Sequence, residues 1–66
     1  MAENYQIENI LVAQKNLIIS MINDGKISSA YAMLMVVREL WENCDYGYKV
    51  KEIDNRIFEA SKQLAS

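Results

Sequence analysis

The sequence predicts an all-α fold: a small three-helix, up-down-up antiparallel bundle, or a helical hairpin with a third helix laid on it, expected to be oligomeric. Three observations predict this. The chain of 66 residues has no proline and two glycines, and Ala, Leu, Ile, Met, Glu, Lys and Gln dominate it, which are helix formers more than strand formers. Its apolar residues recur at intervals of three and four instead of alternating. The two glycines divide it into segments expected to be helices over about 4–23, 28–44 and 48–65, within a single helical domain spanning 1–66.

In the first segment Ile7, Ile10, Leu11, Leu17, Ile18, Met21 and Ile22 fall on one broad face, which is the expected core face. Asn4 is a candidate cap at its start. The run Asn23-Asp24-Gly25 is a stop, because a glycine after the last turn accepts the left-handed conformation that closes a helix.

The second segment holds AYAMLMVV, eight apolar residues in succession from Ala30 to Val37. Ile27, Ala30, Leu34, Val37, Trp41 and Cys44 repeat at spacings of three and four, a heptad seam, and Met33, Val36 and Leu40 widen it on one side. A middle helix touching two neighbours needs such a wide stripe. Ser28 is the expected cap.

In the third segment Val50, Ile53, Ile57, Ala60 and Leu64 form a narrower stripe, with Phe58 outside it and Glu52–Arg56 spaced as an ion pair. Continuing the second seam past Cys44 would use Tyr48, Lys51 and Asn55, whereas the third uses Val50, Ile53 and Ile57. A slip of two residues rotates the apolar face by about 200°, so a turn or sharp kink at Gly47 is expected between two separate helices.

A chain this short buries only about 60% of the surface its unfolded form exposes. Small chains usually supplement such a core with disulfides, a metal or a second subunit. Cys44 is the one cysteine and histidine is absent, which removes an intrachain disulfide and a Cys/His zinc site. Oligomerisation is left, and a homodimer is the expectation.

The net charge of −2 gives no general attraction to nucleic acid or to anionic membranes. The first residues lack a basic and apolar secretory pattern, and the apolar run ends at Arg38, Glu39 and Glu42, far short of the roughly 20 residues that span a bilayer. A lone thiol suits a reducing compartment, so a cytoplasmic protein without a membrane association is expected. Without histidine the usual general base is missing. Cys44 lies on an apolar seam with no imidazole to activate it, and no phosphate loop or nucleophile motif occurs. No catalytic residue, metal ligand or cofactor site is assigned.

The expected function is therefore noncatalytic interaction with another protein, by a cytoplasmic adaptor, regulator or inhibitor acting through apolar helix faces. Tyr31 and Met35 share a side of the second helix with Arg38, Glu39 and Glu42, and Val12 and Ile19 oppose Ile10 and Leu17 with Tyr5 above them. Apolar residues aligned on a polar side suggest a contact surface. Together with Trp41 as an aromatic anchor, these form the candidate partner or dimer interface. Glu39, Glu42 and Asp45 make an acidic strip, expected to be balanced by Lys49, Lys51 and Arg56 or to dock a basic segment. The alternative is a small dimeric DNA-binding regulator presenting helix 48–65, where Lys49, Lys51, Arg56 and Lys62 lie. That helix lacks a single basic stripe, which makes nucleic acid the less favoured partner.

The stretch GKISSAYAMLMVV, Gly25 to Val37, resembles the turn and second helix of a tetratricopeptide repeat, where Gly-Lys-aromatic-x-x-Ala opens that helix. Ile18 stands where the family has a glycine for close packing, and the family's characteristic tryptophan and closing proline are missing. The resemblance covers 13 of the 66 residues. It implies a helical hairpin at Gly25 and no peptide-binding array, which takes about three repeats.

Overall fold

The computed structural model describes residues 2–65, with side chains over residues 6–63. Three α-helices follow one another: α1 (Ala2–Asn23), α2 (Ile27–Asn43) and α3 (Gly47–Ala65). They pack on each other as an all-α three-helix bundle, with α2 against both neighbours and α1 meeting α3 more sparingly. The body measures 47 × 18 × 15 Å, a rod in which every helix lies close to the long axis.

The core is one line of residues per helix. Leu11 and Ile18 come from α1, Ala30, Leu34, Val37 and Trp41 from α2, and Ile53 and Ile57 from α3. Ile27, Cys44 and Val50 pack against its ends, half-buried. The seam expected of the second segment is thus the seam that α2 buries, and that of the third segment is buried through Ile57 with Ala60 half-buried. Leu64 lies outside the described side chains.

The first segment buries less than its pattern suggests. Ile7, Ile10 and Leu17, expected in the core, are exposed. So are Val36 and Leu40, the residues expected to widen the seam of α2. The physical reason is geometric: a helix of a three-helix bundle turns only a limited arc of its circumference inward, and these chains carry apolar residues well beyond that arc.

Both inter-helix turns close by the same device. After α1, Gly25 adopts φ 79°, its N–H donates to the Ile22 carbonyl at 3.0 Å, and the Lys26 N–H donates to Met21 at 2.8 Å. This is a Schellman closure, with glycine at the left-handed position. After α2 the left-handed residue is Asp45, φ 59°, and the Tyr46 N–H reaches the Trp41 carbonyl at 2.8 Å. Gly47, where the turn was expected, is the first residue of α3. Ser28 does not cap α2 either: the helix begins at Ile27 behind Lys26, and no side chain caps it.

Trp41 is the centre of the molecule. Its side chain is fully buried, and its indole N–H donates to Gln14 Oε1 at 2.9 Å. Tyr46 stands edge-on against it at 5.2 Å, and Tyr48 continues the contact from Tyr46 at 5.5 Å. This is the apolar contact that commonly completes a Schellman turn, here between two aromatic rings.

Candidate functional site

With no strand among the described residues and one narrow core, the bundle has three long sides, and the apolar residues it leaves exposed fall on all of them. The side between α2 and α3 holds Tyr31. It borders a groove with Ile27 of α2 and Ile57 and Phe58 of α3, and Asp54 supplies a carboxylate there. Met35, also exposed, stands one turn further along α2. Arg38 and Glu42 continue that flank and pair with each other at 3.7 Å.

The side between α1 and α3 holds Val12, exposed beside Tyr46 and Tyr48 in a groove that also takes in Glu8 and Asp45. Ile19, on the same flank of α1, is half-buried and packs against the core. Its sequence position marks the α1–α3 contact more than a free surface. Trp41, considered as an anchor for a partner, has no surface to offer: α1 and Tyr46 already cover it. The structure therefore does not bring the six candidate interface residues together. Tyr31 and Met35 lie on one side, Val12 on another, Ile19 and Trp41 inside or partly inside, and Tyr5 outside the described side chains.

The charges are arranged locally. Glu42 pairs with Arg38 within α2, not with the basic residues beyond the turn as the sequence suggested. Lys49 donates to Glu52 at 2.9 Å, one turn along α3, and Lys62 reaches Glu59 at 4.0 Å while lying over the Phe58 ring. The hydrogen bond from Lys49 holds the Glu52 carboxyl below its ordinary range, and the same bond raises Lys49. Arg56, expected to partner Glu52, acts on it only through space. Two of the four basic groups of α3 are thus engaged along their own helix.

The third side, between α1 and α2, is the one that sequence reasoning missed. Gln14 lies on the α1 flank turned to α2, as its bond to Trp41 shows. Ile10 and Leu17, four residues before it and three after, share that flank at helical spacing. On α2, Tyr31 and Ile27 mark the flank toward α3, so Met33, Val36 and Leu40, on the opposite flank, are turned toward α1. Ile7 and Asn43 line one groove at the far end of this side, together with Glu8 and Asp45. Val36 is 77% exposed, Ile10 52%, Leu17 47% and Leu40 42%.

Among the described side chains of α1 and α2 the charged ones are Glu8, Lys15, Arg38, Glu39 and Glu42. Only Glu8, in the groove at one end, and Glu39, at the outer edge one turn from Val36, come near this side. Lys15 is close enough to α3 to act on Glu52, Glu8 lies by the tyrosines, and Arg38 and Glu42 lie on the α3 flank. Glu39 stands on the outer ridge of α2, at the rim. The side consists of Ile10, Leu17, Met33, Val36 and Leu40, with Gln6, Ala13, Gln14, Ser20, Ser29 and Ala32 around them. Its signal in the sequence was a run of uncharged residues at helical spacing on each helix, Ile10, Ala13, Leu17 and Ser20 on α1 and Ser29, Met33, Val36 and Leu40 on α2, which the abundance of apolar residues concealed.

Among the described residues no group of three or more His, Cys, Asp or Glu side chains gathers as a metal site, and no helix is long and apolar enough to cross a membrane. Compared with protein-family models, with curated proteins and with solved structures, the chain matches none.

Proposed function

We propose that the chain is a noncatalytic protein–protein interaction module whose binding surface is the apolar α1–α2 side. The single observation that carries this reading is the exposure of Ile10, Leu17, Val36 and Leu40 together on a side whose middle, among the described side chains, holds no charged residue. Bulk apolarity does not mark an interface. Depletion of charge at the centre of an apolar patch does. Met33, half-buried against the core beside these residues, adds a side chain of the kind that adapts to varied contours.

A surface of this kind binds by excluding water, and its specificity comes from shape and from the charges at its rim. Glu39 on the outer ridge, and Asp24, Lys26 and Asp45 at the ends, surround the patch. An adaptor, regulator or inhibitor acting in the cytoplasm would use such a surface, which places no demand on bases, nucleophiles or cofactors.

The test is affinity purification of the tagged full chain from its native host, beside a Val36→Glu bait. At 77% exposure the substitution leaves the bundle intact while placing a charge at the centre of the patch. Proteins retained by the parent and lost with the variant, then shown to bind directly once purified, support the reading. Identical capture by both baits, with no self-retrieval that depends on Val36, removes it.

A further inference from the structure

We infer that the leading half of α1, from Gln6 to Gln14, is a flap that lifts off Trp41 while the rest of the bundle stays assembled. Length, burial and packing lead there.

The helices leave this segment short of neighbours. α1 has 22 residues and α2 has 17, so at about 1.5 Å per residue an antiparallel α1 outruns α2 by about 8 Å at the end opposite Gly25. Ile7 accordingly shares a groove with Asn43, the last residue of α2. Every residue from Gln6 to Ile10 is exposed, the apolar Ile7 and Ile10 included. The trailing half differs: Ile18 is buried, and Ile19, Met21 and Ile22 pack against the core beside it.

Little holds the leading half down. Leu11 is its one buried side chain, and Gln14 Oε1 accepts the indole N–H of Trp41 at 2.9 Å. Leu11 borders two open grooves, one with Ile7, Asn43 and Cys44 and the other with Val12, Tyr46 and Tyr48. Glu8 on the segment and Asp45 on the second turn line both grooves, so the charges brought together there have the same sign. Among the described residues no ion pair joins the segment to α2 or α3. The α2–α3 pair is held more firmly, by closer packing along its length and by the ring contacts from Trp41 to Tyr46 and on to Tyr48. Segments with few buried apolar contacts open first and at the least cost.

Lifting the flap changes what the molecule presents. In the closed bundle Trp41 is fully buried. With Leu11 and Gln14 displaced, its indole edge faces solvent while Tyr46 still stands against the ring. Access to the largest side chain of the core thus depends on a segment fastened by one leucine and one hydrogen bond.

Hydrogen exchange followed by NMR on the full chain tests this, because the lone tryptophan gives a single indole N–H signal. Protection of that proton, relative to its rate in the unfolded chain, should lie about tenfold or more below that of the Leu34 and Ile53 amides, which open with the whole bundle. Leu11→Ala should speed indole exchange by about thirtyfold or more. Ile57→Val lies toward the opposite end, beside Ile27. It should lower the protection of Leu34 and Ile53 by about twofold to tenfold and leave the indole unchanged.

Equal protection of the indole and the core amides, or an indole that follows Ile57→Val, would mean that Trp41 is uncovered only by global unfolding, and overturns the inference. An indole indifferent to Leu11→Ala overturns it as well. Should Leu11→Ala not fold, the parent and Ile57→Val decide the case by themselves.

Discussion

At the scale of single residues, Trp41 shows how one side chain can be read correctly in position and wrongly in use. Its place on the seam was visible from spacing alone, and an aromatic residue of that size suggested an anchor for a partner. The structure buries it completely and gives its one polar atom to Gln14. Gln14 lies in a stretch of α1 whose spacing says nothing about a donor 27 residues further on in another element, so the pair was not legible. The bond makes a sharp prediction. Gln14→Met keeps the volume of the side chain and leaves the indole N–H unsatisfied, which should cost about 1–3 kcal/mol. Urea unfolding followed by the fluorescence of the lone tryptophan measures it; an unchanged midpoint would show that solvent reaches the indole.

The same logic separates the exposed apolar residues from the buried ones. Leu34 is fully enclosed and Leu17 is not, although each is a leucine at helical spacing from its neighbours. Leu34→Ala should destabilise the chain by about 2–5 kcal/mol. Leu17→Ala, at a concentration where the chain is monomeric, should cost far less. Comparable losses at both positions would mean that the α1–α2 side is covered within the monomer.

Among the elements, the two turns were equally anticipated in place and unequally in chemistry. Gly25 occupies a left-handed position with nothing near its missing Cβ, so Gly25→Ala is penalised by backbone strain alone, about 1–2 kcal/mol. Asp45 holds the corresponding position in the second turn, at φ 59°, where glycine is the usual occupant. Asp45→Gly should therefore raise stability, by up to about 1 kcal/mol, or a melting shift of about 4–8 °C per kcal/mol for a chain of this size. Thermal unfolding of the two variants checks both signs, and a destabilised Asp45→Gly would show that the aspartate side chain contributes more than its backbone costs. Sequence inspection placed this turn on Gly47 because glycine is the commonest left-handed residue. Asp45 was available to do the same because short polar side chains tolerate that conformation.

The aromatic run that follows Asp45 ties this turn to pH. Burial raises the Tyr46 phenol above its ordinary value of 10.0, with Lys49 opposing and Tyr48 and Glu52 assisting. A group whose folded value is raised gives stability that is complete below the unfolded value and is lost as pH rises through the folded one. The Lys49–Glu52 bond adds a contribution of the same direction at Lys49 and an opposite one at Glu52, lost as pH falls below the ordinary carboxylate range. Stability should thus hold between the two ranges and decline above about pH 10. Tyr46→Phe keeps the ring against Trp41 and should flatten part of the alkaline decline. Urea midpoints measured on both sides of pH 10 test this, and an equal slope in the variant would remove Tyr46 from the account.

For the whole molecule, the all-α class, the three helices and the two turns were readable in the sequence because each depends on nearby residues: helical spacing, the lack of proline, and a slip of phase that one straight helix could not accommodate. Which apolar residues would be enclosed was not readable to the same degree. Ile10, Leu17, Val36 and Leu40 satisfy the core pattern as well as Leu11, Ile18, Leu34 and Val37 do. Local pattern sets how wide an apolar stripe is, but the number and placement of neighbouring helices set how much of it is covered. Only two neighbours stand beside each helix of this bundle, so a surplus is left exposed, with Ile10, Leu17, Val36 and Leu40 on the side between α1 and α2. Its exposure, and with it the surface on which the proposed interaction rests, came from the packing of three helices and from no segment alone.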